Sequence, residues 1–206
     1  MKSQKLKTYL MMGAAMLTVG STIVASKLMA EMPVFIAAFA RFVVASPILL
    51  GLVWFTGKRL PILAWREWRM LFLQAGLGSV GYSVLMIMGL SMTQASDASV
   101  IAGTLPAVAA LLSFVVLRER LSGWTMLAVV LATLGVGVLS QGNPVAGAAG
   151  DLRWTGNFIV FFAIMCEAAF LLLNKTVKTQ IDPLVLAATM SVLSMAFCAV
   201  PALFQW

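Results

Sequence analysis

Long apolar runs, each close to the length needed to cross a bilayer as a helix, govern what this chain can fold into. A hydrocarbon core about 30 Å thick takes roughly 20 apolar residues at helical rise. Runs of that size, bounded by charged or turn residues, lie near residues 8 to 29, 33 to 56, 70 to 90, 97 to 117, 123 to 141, 157 to 177 and 183 to 205. Seven such spans leave only short connections in a chain of 206 residues, so a separate soluble domain has no room. Charged residues make up 10%, against about a quarter in soluble domains. In hydrocarbon every backbone N–H and C=O must pair within the protein, and these runs are too long and too continuously apolar for alternating barrel strands. The sequence therefore predicts an all-α fold, a polytopic transmembrane helical bundle with the lipid bilayer as its first partner.

The span boundaries carry helix-start signals. Pro33 and Pro183 suit the first helical position, Asp182 and Asn157 suit N-caps, and Ser122 with Gly123 opens the fifth span. The net charge of +7 would suit a nucleic-acid binder, but the 14 Lys and Arg residues stand scattered at the ends of apolar runs, where orientation explains them and no nucleic-acid partner is implied. With a cytoplasmic N-terminus, Lys2, Lys5, Lys7, Lys58, Arg59, Arg66, Arg69, Arg118, Arg120, Lys175 and Lys178 fall inside, while Lys27 and Arg153 fall outside. The sequence thus predicts a multi-pass protein of the cell membrane with the end of this chain external. A cleaved signal peptide over residues 1 to 30 is the competing reading of the first run.

Histidine is absent, which removes the usual proton shuttle, the commonest metal ligand and any histidine-dependent triad. Cys166 and Cys198 lie inside apolar runs, where cysteine acts as a small hydrophobe. No metal site, cofactor or enzymatic activity is expected.

An internal similarity is visible. Ser26 and Lys27 followed by Pro33, Val34, Phe35, Ile36, Ala37 and Ala38 match Asn174 and Lys175 followed by Pro183, Leu184, Val185, Leu186, Ala187 and Ala188. Five spans precede a Gly-rich stretch, so a second copy starts on the opposite membrane face and the two repeats are inverted. The expected organisation is a first five-helix repeat over 1 to 141, an external Gly-rich linker over 142 to 156, and two helices of an incomplete second repeat over 157 to 206. Two complete repeats would need ten helices and roughly 290 to 300 residues, so the chain reads as truncated, with seven of the ten spans.

The stretch Ala95-Ser96-Asp97-Ala98-Ser99-Val100-Ile101-Ala102-Gly103-Thr104-Leu105-Pro106, then Ala110-Leu111-Leu112, Leu117-Arg118-Glu119-Arg120-Leu121 and Leu134-Gly135-Val136-Gly137-Val138-Leu139, resembles the third-to-fifth helix signature of EamA-type members of the drug/metabolite transporter superfamily. Arg41-Phe42 in the second span is similar too. The resemblance implies ten helices in two inverted five-helix repeats around a central substrate cavity, and a role in exporting metabolites, amino acids or drugs.

Charges inside hydrocarbon cost about 2.5–3.5 kcal/mol on insertion scales, so a retained one needs a partner, a watery cavity or a route to the interface. Arg41 and Glu167 meet that description. Arg41 reads as an anchor for an anionic group and Glu167 as a proton or cation coupling site; the alternatives are a structural ion pair between them, or Arg41 snorkelling to the outer surface. Asn174 and Lys178 share a face with Glu167. Thr18, Ser21, Thr22 and Ser26 form a hydroxyl face on the first span, and Gln74 and Tyr82 on the third carry further hydrogen-bonding groups. The candidate substrate-binding residues are Arg41, Gln74, Tyr82, Thr18, Thr22 and Asn174. Asp97 reads as an acid near the positive end of its helix, and Pro106 as a mid-span break that forms a hinge or is re-satisfied by its neighbours. Gly76, Gly78 and Gly81 spell a dinucleotide fingerprint, but inside an apolar span they read as close-packing positions. The series Ala95, Ser99, Gly103, Ala107 likewise reads as a packing face.

Together these features describe a secondary transporter moving a small molecule outward, with protons as a candidate coupling partner. The alternative is a non-transporting membrane remnant or an assembly subunit. A homodimer or a complementing chain is a further candidate partner.

Overall fold

The computed structural model describes residues 2–58, 63–118, 123–124, 126–127, 130–131, 134–135, 150–176 and 181–205. All regular structure among them is helical: α1 (Lys2–Leu28), α2 (Val34–Phe55), α3 (Trp65–Gln74), α4 (Tyr82–Met92), α5 (Ala95–Gly103), α6 (Leu105–Leu117), α7 (Gly150–Thr176) and α8 (Pro183–Phe204). A π-helical segment, Ala75–Gly81, joins α3 to α4 without a break, giving one span from Trp65 to Met92. Among the described residues, four helices are long and apolar enough to cross a membrane, and five if the bent pair α5–α6 counts as one. The first predicted run, 8 to 29, is one continuous helix up to Leu28, within α1 (Lys2–Leu28). Most of the fifth, 123 to 141, falls outside the described residues; the described ones are helical.

Several local expectations hold. Asp182 caps α8, its Oδ1 accepting from Leu184 N–H at 3.0 Å, with Pro183 at the first turn. The chain bends by 43° between α5 and α6, where Pro106, in the first turn of α6, has no N–H to give the preceding turn. Three expectations change. Pro33 is the N-cap of α2 rather than its first helical residue. Asn157 lies inside α7, which begins at Gly150, so the helix takes in seven residues assigned to the linker. The Ala95–Ala107 series is not one packed face: Ser99 is exposed and Gly103 has open space beside it, both on the unbroken helix α5, while Ala107 is buried beyond the bend.

Two antiparallel pairs build the bundle. In the first, α2 runs against α8 over its whole length. The Phe35 N–H donates to Gln205 Oε1 at one end (3.0 Å), the Ser46 and Ser191 hydroxyls meet in the middle (3.1 Å), and Lys58 pairs with Asp182 at the other end (2.7 Å). In the second, the Trp65–Met92 span runs against α7. Lipid tails are as apolar as the side chains, so association rests on close approach. A Cβ on Gly78 would fall 2.4 Å from Phe170 Cβ, one on Gly89 2.6 Å from Val160, and one on Gly156 2.9 Å from Met92. Gly81 lies against Cys166, whereas Gly76 touches nothing there. Helix α7 is the hub: its Val160, Ala163, Ile164 and Ala168 meet Ile23 of α1, Met86 and Leu90 of α4, Ile101 of α5 and Val108 of α6 in one buried cluster.

Candidate functional site

The two pairings set the depth of each polar group. Thr93 and Asn157 bond across one end of the bundle at 2.6 Å. Tyr82 and Glu167 each lie ten or eleven residues further along their helices, about 15 Å at helical rise and so near mid-depth. Arg41 is seven residues into α2 from the same end. It stands one turn beyond Ala37 and Ala38 and beside Phe42, all buried, so its side chain leaves the helix inward. The guanidinium reaches Ser83 Oγ at 3.4 Å, a long contact for a hydrogen bond. Snorkelling to the surface is thereby replaced by a side chain aimed into the bundle.

Arg41 and Glu167 act electrostatically on Tyr82, and Arg41 acts on Glu167. Among the described residues no direct ion pair joins Arg41 to Glu167. Three spans therefore bring a cation, an acid, a phenol and a hydroxyl together at mid-depth, and the two charges do not cancel by contact. Sequence does not single out Ser83; its only signal there is that it follows Tyr82 inside an apolar span.

The other predicted residues divide. Gln74 is wholly buried, and its amide oxygen and nitrogen have no protein partner. It lies eight residues before Tyr82, about two turns or roughly 12 Å beyond the cluster on the side away from Thr93. Thr22 is half-buried and Thr18 exposed on α1; both are engaged in interactions, and Ser21 donates back to the Thr18 carbonyl at 2.7 Å, so part of that hydroxyl face is satisfied within its own helix. Asn174 is exposed two turns past Glu167, and Lys178 lies outside the described residues. The polar stripe expected on α7 therefore does not form a single inward wall.

A second polar group closes the Thr93 end. Asp97, 5% exposed, takes a forked bond from Arg153: Nε to Oδ2 at 2.7 Å and Nη2 to Oδ1 at 3.1 Å. Lys27 donates to the Leu90 and Thr93 carbonyls at 2.5 and 2.8 Å, satisfying the C-terminus of α4. Sequence placed Asp97 as an acid at a helix start and Arg153 as an outer flank charge; that they pair depends on how α5 meets α7.

Residues 6–141 match the EamA-like transporter family. Over 203 residues the chain is 29% identical to a protein of Bacillus subtilis (strain 168) described as "Uncharacterized transporter YetK". The match covers 98% of this chain and 62% of that protein, so the chain spans about three-fifths of the curated relative's length. No solved structure matches. The matched segment takes in Arg41, Tyr82 and Pro106 and covers about two-thirds of the chain, and the chain belongs to the EamA-like transporter family.

Proposed function

We propose that this chain forms a wall of the substrate path in a secondary transporter that moves a small metabolite, amino acid or drug across the cell membrane, in the outward direction. The observation that carries this reading is the meeting of Arg41, Tyr82 and Glu167 from three spans at mid-depth without a direct ion pair. Each charge there costs about 2.5–3.5 kcal/mol to insert, and two opposite charges held apart keep both available to a polar ligand. Protonation of Glu167 would alter the field at Arg41 and bias the two ends of an alternating-access cycle. The antiparallel packing of α2 on α8 supports inverted repeats, since equivalent helices related by an axis in the membrane plane run in opposite directions. The N-terminus is assigned to the cytoplasm on the distribution of Lys and Arg.

The test is flux in proteoliposomes containing the purified chain and a radiolabelled amino-acid mixture, with an imposed pH gradient. The parent should move label faster than empty liposomes. Arg41→Gln should cut the initial rate by about tenfold or more, and Glu167→Gln should lose its response to the gradient. Flux in Arg41→Gln equal to the parent removes the site, and an unchanged gradient response removes Glu167 from coupling.

A further inference from the structure

Several hydroxyls on these helices take the local alternative of donating to a carbonyl of their own chain, and others pair with side chains across the bundle. Ser99 donates to Ala95 at 2.6 Å, Thr189 to Val185 at 2.8 Å and Ser91 to Met88 at 2.7 Å. Ser194 of α8 does not: its Oγ is wholly buried and has no protein partner. A buried hydroxyl without a partner is costly, so it points to something that the protein alone does not provide.

Its direction follows from its neighbours on the same face of α8. One turn towards Asp182, Ser191 meets Ser46 of α2. One turn the other way, Cys198 packs with Phe42 of α2 and Ile87 of α4. Ser194 therefore faces the seam between α2 and α4. Arg41 precedes Phe42 on that seam, and Ser83, which Arg41 contacts, lies one turn before Ile87.

We infer that Ser194 is a ligand-contacting residue of the Arg41 site, donating with Arg41 to an oxyanion such as a carboxylate, and that the open amide of Gln74 continues the same polar track towards the Lys58 end. Two observations carry this independently: the stranded Ser194 hydroxyl on α8 and the stranded Gln74 amide on α3. Leu71 and Ala75, which flank Gln74, pack on Met190, one turn from Ser194. Helix α8 lies outside the family-matched segment, so the site would draw groups from both. The inference rests on the mid-depth cluster being a substrate path.

The experiment is thiol accessibility in membrane vesicles of both orientations, read with a charged, impermeant methanethiosulfonate that reacts only where water reaches. Ser194→Cys and Gln74→Cys are built in a chain with Cys166 and Cys198 replaced by Ala; native Cys198, buried one turn away among apolar groups, is the control in a Cys166→Ala chain. Both substituted thiols should react about tenfold faster than Cys198, and benzoate, a plain carboxylate, should slow Ser194→Cys but not when Arg41 is Gln. Reaction as slow as Cys198 overturns the inference, and reaction indifferent to benzoate overturns the oxyanion. A second variant covers misfolding: Ser194→Ala should melt no lower than the parent in detergent while showing a smaller stabilisation by benzoate than the parent, whereas a lower melting temperature without ligand, or an unchanged benzoate shift, would overturn the hydroxyl's role in binding. None of these readouts needs transport, so failure here is distinguishable from failure of the flux assay.

Discussion

Gly76 and Gly78 stand two residues apart in one span and have opposite surroundings. A Cβ at Gly78 would collide with the Phe170 side chain at 2.4 Å, while at Gly76 nothing lies within 4 Å. Gly78→Ala should destabilise the bundle by about 1–3 kcal/mol through overpacking. Gly76→Ala should be neutral or slightly stabilising, since alanine is the better helix former by about 1 kcal/mol. Melting of the detergent-solubilised variants checks both, and equal effects would contradict the crossing of this span on α7. The sequence motif made packing the natural role for these glycines. Which one touches α7 was not legible, because that depends on where the two helices cross.

At the scale of elements, the α2–α8 pair is fixed at the Lys58 end by a charge contact that also caps α8. The Lys58 ammonium beside Asp182 holds its carboxyl below the usual carboxylate range, with the Leu184 N–H adding in the same direction. Because the folded value is depressed, the stabilisation is full above the unfolded value of about 3.9 and is lost as pH falls through the lower folded value. Asp182→Asn keeps a capping side chain but loses the ion pair. Its melting temperature should lie below the parent's at neutral pH, and the two curves should converge as pH drops below the carboxylate range. A gap that persists in acid would mean that the charge pair is not what the substitution removed. The Asp-Pro sequence announced the cap, whereas Lys58, from a different helix, could be found only once α2 and α8 were paired.

For the whole molecule, the bonds of Lys27 to Thr93 and of Thr93 to Asn157 gather Glu31, Thr93 and Arg153 at one end, and the Lys58–Asp182 pair marks the other. In the proposed topology, which rests on the asymmetric distribution of Lys and Arg, the first end is the outer one. In intact cells, Cys placed at Glu31 in a cysteine-free chain should react with an impermeant thiol reagent, and Cys placed at Thr56 should react only after the membrane is permeabilised. The reverse pattern would invert the topology and with it the proposed direction of transport.

Composition and run length by themselves determined the helical membrane class and most span positions, and Asp182 with Pro183 determined the α8 cap, because each depends on local chemistry: backbone satisfaction in hydrocarbon and capping geometry. At Pro106 the sequence marked a missing N–H and left the bend itself open. It also marked Arg41 and Glu167, since a charge inside an apolar run stands out in any order of helices. Only the tertiary structure decided that Arg41 turns towards Ser83, that Asp97 takes Arg153, that Asn174 falls away from the cluster, and that Ser194 is left without a partner. Those outcomes depend on which helix faces which and at what register, and the apolar pattern of a membrane span, hydrophobic on nearly every side, carries little record of its facing partner.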